Sequence, residues 1–287
     1  MDRYNGIESP RKMDYHLHTA VTIDGNMHEF EACERALALD IHEIAFTNHV
    51  MLNQPNYLIS PASFIKHWEN IQECQKRYFQ LQIRLGIEMD YYPNREKDIA
   101  SKIQYYEGLI GRPFDFILGS IHDISAGFFS NKSAAVPFFK DREIVATYHE
   151  YFDLAARAVR SRLFNVMAHP DLIKKYTYQL TPLVSFKKYQ DVVESFISEL
   201  VTCEVGIEIN TKGLRRPVQE PYPSDEFLTL YLSKSRASGK DPILTLGSDA
   251  HKVMDVGFGI LDIIESLKKF QVNLMSFERR NRSPFII

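Results

Sequence analysis

The stretch MDYHLHTAVTID, residues 13–24, decides how this chain is read. Its first residues, Met13–Leu17, have the character of a short β-strand. His16 and His18 stand one residue apart at the strand's end, and side chains alternate across a strand with period two, so both project from one side. Asp24 follows six positions after His18. An isolated His-x-His is a weak signal; its weight depends on whether other strands end the same way.

Working outward, the same punctuation recurs. Short runs rich in β-branched and aromatic residues alternate with longer stretches of helical period. The strands are HEIAFTNH (42–49), QIRLGIEMD (82–90), PFDFILGSIH (113–122), LFNVMAHP (163–170), EVGIEIN (204–210) and PILTLGSDAH (242–251). Between them lie helical stretches. NMHEFEACERALALD (26–40) places Phe30, Cys33, Ala36 and Leu37 on one face, with Asn26 as the expected N-cap. SPASFIKHWENIQECQKRYF (60–79) opens with Ser60 as cap and Pro61 in the first helical position. Further helices are expected at 94–110, 141–162, 183–202, 224–238 and 259–269. Residues 123–140 show no clear period and read as a long loop over the mouth of the sheet. A short VNLMSF segment closes the chain, and the glycines at 257 and 259 read as a turn. Strands separated by helix-length crossovers form a parallel sheet, and seven such units in 287 residues most simply close into a single-domain (β/α) barrel. An open doubly wound sheet is the alternative on pattern alone.

The strand ends carry the chemistry. In chain order they present His16 and His18, then His49, Glu88, His122, His169, Asn210, and Asp249 with His251. In a parallel barrel all C-terminal strand ends meet at one face, which bears the active site. Six of the ten histidines fall there; His28, His42, His67 and His149 do not, and read as packing or surface residues. Imidazole nitrogens with a few carboxylates suit zinc, iron or manganese better than calcium or magnesium. The donors are too many for one tetrahedral ion, so two or three divalent transition metals are expected, with Glu88 as a bridge.

Composition bounds the rest. Apolar residues make up 45% and charged residues 25%, as expected of a globular enzyme with a full core. The net charge of −3 offers no basic excess for nucleic acid or an anionic membrane. The N-terminus MDRYNGIESPRK is polar and lacks a signal-peptide apolar stretch, and no 18-residue apolar run is present. Cys33, Cys74 and Cys203 are odd in number and widely spaced, which suits a reducing cytoplasm and inert packing.

The segments DYHLHT, FTNH, GIEMDYY, GSIHDI, MAHPDLIKKY, EINTKGLRRPVQEPYPS and LTLGSDAH, in this order from about residue 13 to 275, resemble the polymerase-and-histidinol-phosphatase (PHP) superfamily. NTKGLRRPVQEPYPS is similar to its histidinol-phosphatase branch. The resemblance implies a distorted (β/α)7 TIM-like barrel and a trinuclear site. One metal would take His16, His18, Glu88 and Asp249; a second would share Glu88 and take His122 and His169; a third would take Asp24, His49 and His251. It implies hydrolysis of a small phosphate monoester, L-histidinol phosphate in histidine biosynthesis, by in-line attack of a metal-bridging hydroxide. Metals lower the pKa of bound water from about 16 toward about 7. Arg215 and Arg216, in the loop after the sixth strand, stand where a guanidinium can grip phosphate bidentately. Glu220 and Tyr222 are candidates for shaping the pocket around a cationic amine or imidazole. Competing readings are another PHP phosphoesterase, an amidohydrolase-type C–N hydrolase, and a non-catalytic metal-binding protein; the last has no need of a phosphate clamp.

Overall fold

The computed structural model describes residues 10–124, 127–181 and 184–287. The polar stretch 1–9 and the first residue of the helix expected at 183 lie outside the described residues. In chain order the elements are β1 (Met13–Leu17), α1 (Glu29–Ala38), β2 (Glu43–Phe46), β3 (His49–Val50), α2 (Pro61–Arg77), β4 (Gln82–Asp90), α3 (Glu96–Ile110), β5 (Phe116–Ser120), β6 (Asp123–Ile124), β7 (Gly127–Phe128), α4 (Lys132–Phe139), α5 (Ile144–Arg160), β8 (Val166–Met167), α6 (Lys174–Leu180), α7 (Gln190–Cys203), β9 (Gly206–Asn210), α8 (Asp225–Ala237), β10 (Leu244–Gly247), α9 (Ile260–Lys268), β11 (Leu274–Glu278) and β12 (Asn281–Phe285).

Seven principal strands pair in parallel in the order β1-β2-β4-β5-β8-β9-β10, and β3 extends the line of β2 along β4. Spatial order follows chain order, as a barrel requires of right-handed βαβ units. Closure comes from two backbone bonds beyond the last strand: His18 N donates to Ala250 O at 2.9 Å and Ala250 N donates to His16 O at 3.2 Å. The buried Asp14 carboxylate reinforces this seam. It accepts from Ser248 N (2.8 Å), Ser248 Oγ (2.6 Å) and Gly257 N (2.9 Å), so a β1 side chain holds the segment after β10. The barrel is therefore nearly closed, and its strand ends converge.

Local sequence explains the outer layer. Ser60 accepts from Ser63 N at 3.1 Å and Pro61 is the first residue of α2, as the sequence predicts. For α1 the cap is His28 rather than Asn26: Glu31 reaches back to accept from His28 N at 2.8 Å, and the first turn begins two residues later than expected. Residues 123–140 are not one long loop. Among the described residues they form the β6–β7 hairpin and helix α4, whose start is capped by Asn131 accepting from Ala134 N at 2.9 Å. Pro137 inside α4 and its run of apolar residues hide a helical period, while Ala135, Phe138 and Phe139 are buried. The closing segment is also more than a tail. β11 and β12 form an antiparallel hairpin across the N-terminal ends of the strands. There Phe277 packs on Phe116 (ring centroids 5.2 Å apart), Ser276 Oγ donates to Glu43 and Phe277 N donates to the Tyr15 hydroxyl. One end of the barrel is thus plugged by apolar side chains, and the other is left for polar ones.

Candidate metal centre

Glu88, fully buried on β4, is the hub of the open end. Its Oε2 lies 3.1 Å from His16 Nε2, 3.5 Å from His18 Nε2 and 2.7 Å from His49 Nδ1. Its Oε1 lies 2.9 Å from His169 Nε2 and 3.7 Å from His122 Nε2. Asp249 Oδ1 stands 3.4 Å from His18 Nε2 and 3.4 Å from His251 Nδ1. Asp24, reached by the loop after β1, puts Oδ2 3.3 Å from His251 Nε2 and 3.6 Å from His49 Nε2. That loop folds back tightly: a Cβ on Gly25 would sit 1.9 Å from Thr19 O, so only glycine fits beside Asp24. All nine residues expected to bind metal meet in one bowl.

The bowl has the donor chemistry of a metal site. Four groups, His18/His49/His251, His16/His18/Asp249, His16/Glu88/His169 and His49/Glu88/His122, each offer ligand atoms within 4.8 Å of one another. Both ring nitrogens of His18 and the Nδ1 atoms of His49 and His169 are buried without a hydrogen-bond partner among the described residues. His49 Nδ1 lies 2.7 Å from Glu88 Oε2 yet is not aligned for a hydrogen bond. Buried polar atoms left this way cost about 1–3 kcal/mol each, and cations supply what they lack. Lys212 already does so in part: its Nζ lies 2.7 Å from Asp249 Oδ1 and 3.5 Å from His251 Nδ1.

Electrostatics agree. Burial pushes the Glu88 carboxyl up, but the neighbouring His49 and His16 hold it well below the usual carboxylate range. Burial likewise opposes ionisation of Asp249, and Lys212 and His16 overcome it. His18 is driven well below the ordinary imidazole value by burial and by the neighbouring His49 and His251. Carboxylates stay ionised here, and His18 stays neutral, as metal ligation requires.

The PHP domain model matches residues 14–212, more than two thirds of the chain and all but two of these nine residues. The chain belongs to the PHP family. Its relatives include a protein of Deinococcus radiodurans named "Probable histidinol-phosphatase", 27% identical over 94% of this chain and 98% of that protein. A Bacillus subtilis protein named histidinol-phosphatase is 24% identical over 89% and 99%. The crystal structure of histidinol phosphate phosphatase from Lactococcus lactis, complexed with zinc, L-histidinol and phosphate, superposes with a TM-score of 0.75 at 21% identity, covering 96% of this chain and all of that one. The PHP barrel of seven strands is the shared fold.

Around these nine residues stands a layer that sequence reading passed over. Glu208 Oε1 lies 2.7 Å from His16 Nδ1, and its Oε2 accepts from His169 N (2.9 Å) and Asn210 Nδ2 (3.0 Å). Asp90 Oδ1 lies 2.7 Å from His122 Nδ1 and accepts from Ser120 Oγ at 2.6 Å. Carboxylates behind ligand histidines fix tautomer and ring orientation. Period-two alternation could have found both: Asp90 is two residues from Glu88, and Glu208 two from Asn210.

The remaining candidates separate. A cavity of about 320 Å³ opens over the bowl, lined among others by Asp24, His122, Lys175, Lys212 and Arg216. The Arg216 guanidinium makes no hydrogen bond or ion pair among the described residues, while its backbone N donates to Gly213 O at 2.9 Å. Arg215 turns away: it donates to Ser248 O (2.8 Å) and Asp255 O (3.2 Å) and stacks on Phe258. Glu220 pairs with Lys174 at 2.8 Å, and Tyr222 is fully buried beneath that lysine. Glu220 and Tyr222 are not among the residues lining the cavity. Elsewhere His67 is buried against Glu29 (2.5 Å) in the α1–α2 interface, and the three cysteines are free. No helix of the described residues is long and apolar enough to cross a membrane.

Proposed function

We propose that this chain is a metal-dependent phosphomonoesterase that hydrolyses L-histidinol phosphate to L-histidinol and phosphate. The observation that carries the reading is the crowding of five imidazole nitrogens within 3.7 Å of the two oxygens of one buried carboxylate, Glu88. The names of the relatives supply the substrate, and the resemblance of NTKGLRRPVQEPYPS to the histidinol-phosphatase branch points the same way.

In this reading His16, His18, Asp24, His49, Glu88, His122, His169, Asp249 and His251 hold two to three divalent ions, zinc first, with iron or manganese as alternatives. Bound there, such ions draw negative phosphoryl oxygens and lower the pKa of water toward about 7. The protein's own side chains do the remaining work. Glu208 and Asp90 hold His16 and His122 in the rotamer and tautomer the bowl needs. Arg216, whose guanidinium at the cavity wall has no hydrogen bond or ion pair among the described residues, grips the phosphate. Arg215, spent on Ser248 O and Asp255 O, stiffens the loop that presents Arg216. We read the chain as one cytoplasmic domain acting on a small phosphorylated molecule, with neither nucleic acid nor membrane as partner.

Two measurements test this. Elemental analysis of the purified protein should find two to three transition-metal ions per chain; one or none contradicts the bowl as a multinuclear site. Turnover of histidinol phosphate should exceed that of p-nitrophenyl phosphate by orders of magnitude; equal rates would replace the specific reading with a broad phosphatase.

A further inference from the structure

Lys174 and Lys175 are adjacent and meet opposite circumstances. Lys174 Nζ is saturated by Asp171 (2.9 Å), Glu220 (2.8 Å) and Pro221 O (2.9 Å). Lys175 is buried to the same degree, lines the cavity over the bowl, and has one hydrogen-bond partner among the described residues, Ser130 O at 2.5 Å, with the Tyr176 ring 5.4 Å away. It forms no ion pair among the described residues. An ammonium has three donors and is costly to bury unpaired. Lys174 is spent on its two carboxylates; Lys175 is held by one hydrogen bond at the wall of the cavity.

We propose that Lys175 is the acid that protonates the departing alcohol oxygen. This rests on the phosphatase reading above and deepens it. As a water oxygen forms its bond to phosphorus, the ester P–O bond breaks and its electron pair leaves on the alcohol oxygen. The Nζ proton of Lys175 moves onto that oxygen. The proton released by the attacking water goes to solvent, and the neutral amine takes one back from solvent, so the net reaction consumes one water.

Other donors at the cavity are unsuited. Arg216 does not give up its proton near neutrality. Lys212 is bound to Asp249. The histidines are committed as ligands. Burial and the bond to Asp24 push the Tyr57 hydroxyl up to about 12. The groups that face Lys175 are Lys212 and Arg216 from the segment after β9, Asp249 from the end of β10 and Glu88 from β4. Burial first, then Lys212, bring its ammonium down to about 7, with Asp249 opposing and Arg216 adding to the fall.

The test compares leaving groups in the metal-loaded protein. Histidinol phosphate releases a basic alkoxide that needs a proton; p-nitrophenyl phosphate releases a stable phenolate that does not. For Lys175→Met, kcat/KM on histidinol phosphate should fall roughly 100- to 10,000-fold, and on p-nitrophenyl phosphate by less than about tenfold, with metal content unchanged. Lys175→Arg keeps the charge but cannot donate, so it should share the selective loss. Equal losses on both substrates, or recovery in Lys175→Arg, would overturn the assignment in favour of plain phosphate binding. A wild type that hydrolyses neither ester would instead overturn the phosphatase reading itself.

Discussion

At the scale of single residues, the centre separates groups that face the bowl from groups that hold those groups in place. Glu208 is of the second kind: one carboxylate orients His16 through Nδ1 and anchors the backbone of His169. Glu208→Gln keeps the shape but turns one acceptor into a donor. We expect metal affinity to fall roughly 10- to 100-fold, measured by chelator competition, with the fold retained by circular dichroism; unchanged affinity would remove Glu208 from the support of the site. The two arginines make a paired prediction. Arg216→Ala should lower kcat/KM roughly 10- to 100-fold, the worth of a charge-assisted hydrogen bond, while thermal stability stays put. Arg215→Ala should do the reverse, losing about 1–3 kcal/mol of stability as Ser248 O and Asp255 O lose their donor. Interchanged phenotypes would reverse the roles assigned to this pair.

At the scale of elements, strand spacing controls how closely ligands approach. Gly247 ends β10 where an added Cβ would lie 2.1 Å from Glu208 Oε1 and 2.5 Å from His16 Cβ. Gly119 in β5 is as crowded, but by the Phe164 ring at 2.4 Å. Alanine at either position should cost about 1–3 kcal/mol through overpacking. Only Gly247→Ala should also lower the metal content per folded chain, because only there does the intruding methyl push on Glu208 and His16. Calorimetry with elemental analysis separates the outcomes, and equal metal loss in both variants would make crowding at Gly247 irrelevant to the centre. The same strand logic explains what could be read without coordinates. Ligands at strand ends were legible because period two and the βα alternation are local signals, and His16, His49, Glu88, His122, His169 and Asp249 follow them. Asp24 follows neither: it sits in a loop, and only the family resemblance pointed to it. Glu208 and Asp90 stand at period two from Asn210 and Glu88, a signal that was there to use, but a carboxylate inside an apolar strand gains its role only from a histidine on another strand. Helix α4 escaped because Pro137 and a nearly all-apolar composition leave no amphipathic stripe, and the β11–β12 plug because a hairpin's burial depends on the barrel end it covers.

At the scale of the whole molecule, the bowl couples metal, proton and fold. Without metal, six imidazoles and three ionised carboxylates share a buried volume. Two sets of histidines then act in opposite directions. His18, His169 and His251 are held below the ordinary 6.5, chiefly by burial, so the folded state binds fewer protons there than the unfolded chain. Their contribution is present above about pH 6.5 and is lost as pH falls. His16 and His49 titrate above 6.5 despite burial: Glu208 and Glu88 raise His16, and Glu88 raises His49. Their contribution is present below about pH 6.5 and is lost as pH rises. The two windows lie on opposite sides of pH 6.5, so the metal-free protein should be most stable near about pH 6.5 and lose stability in both directions. Loaded with metal, every ligand histidine must be neutral, so protons compete with the ions in one direction only. Ligand saturation at a thousand times Kd adds about 4 kcal/mol, and this increment should shrink steadily as pH falls from 7.5 to 5.5. Differential scanning calorimetry of chelated and zinc-loaded protein across that range measures the gap between the two unfolding temperatures. A gap independent of pH would mean that the imidazoles around Glu88 do not carry the metal's contribution to the fold.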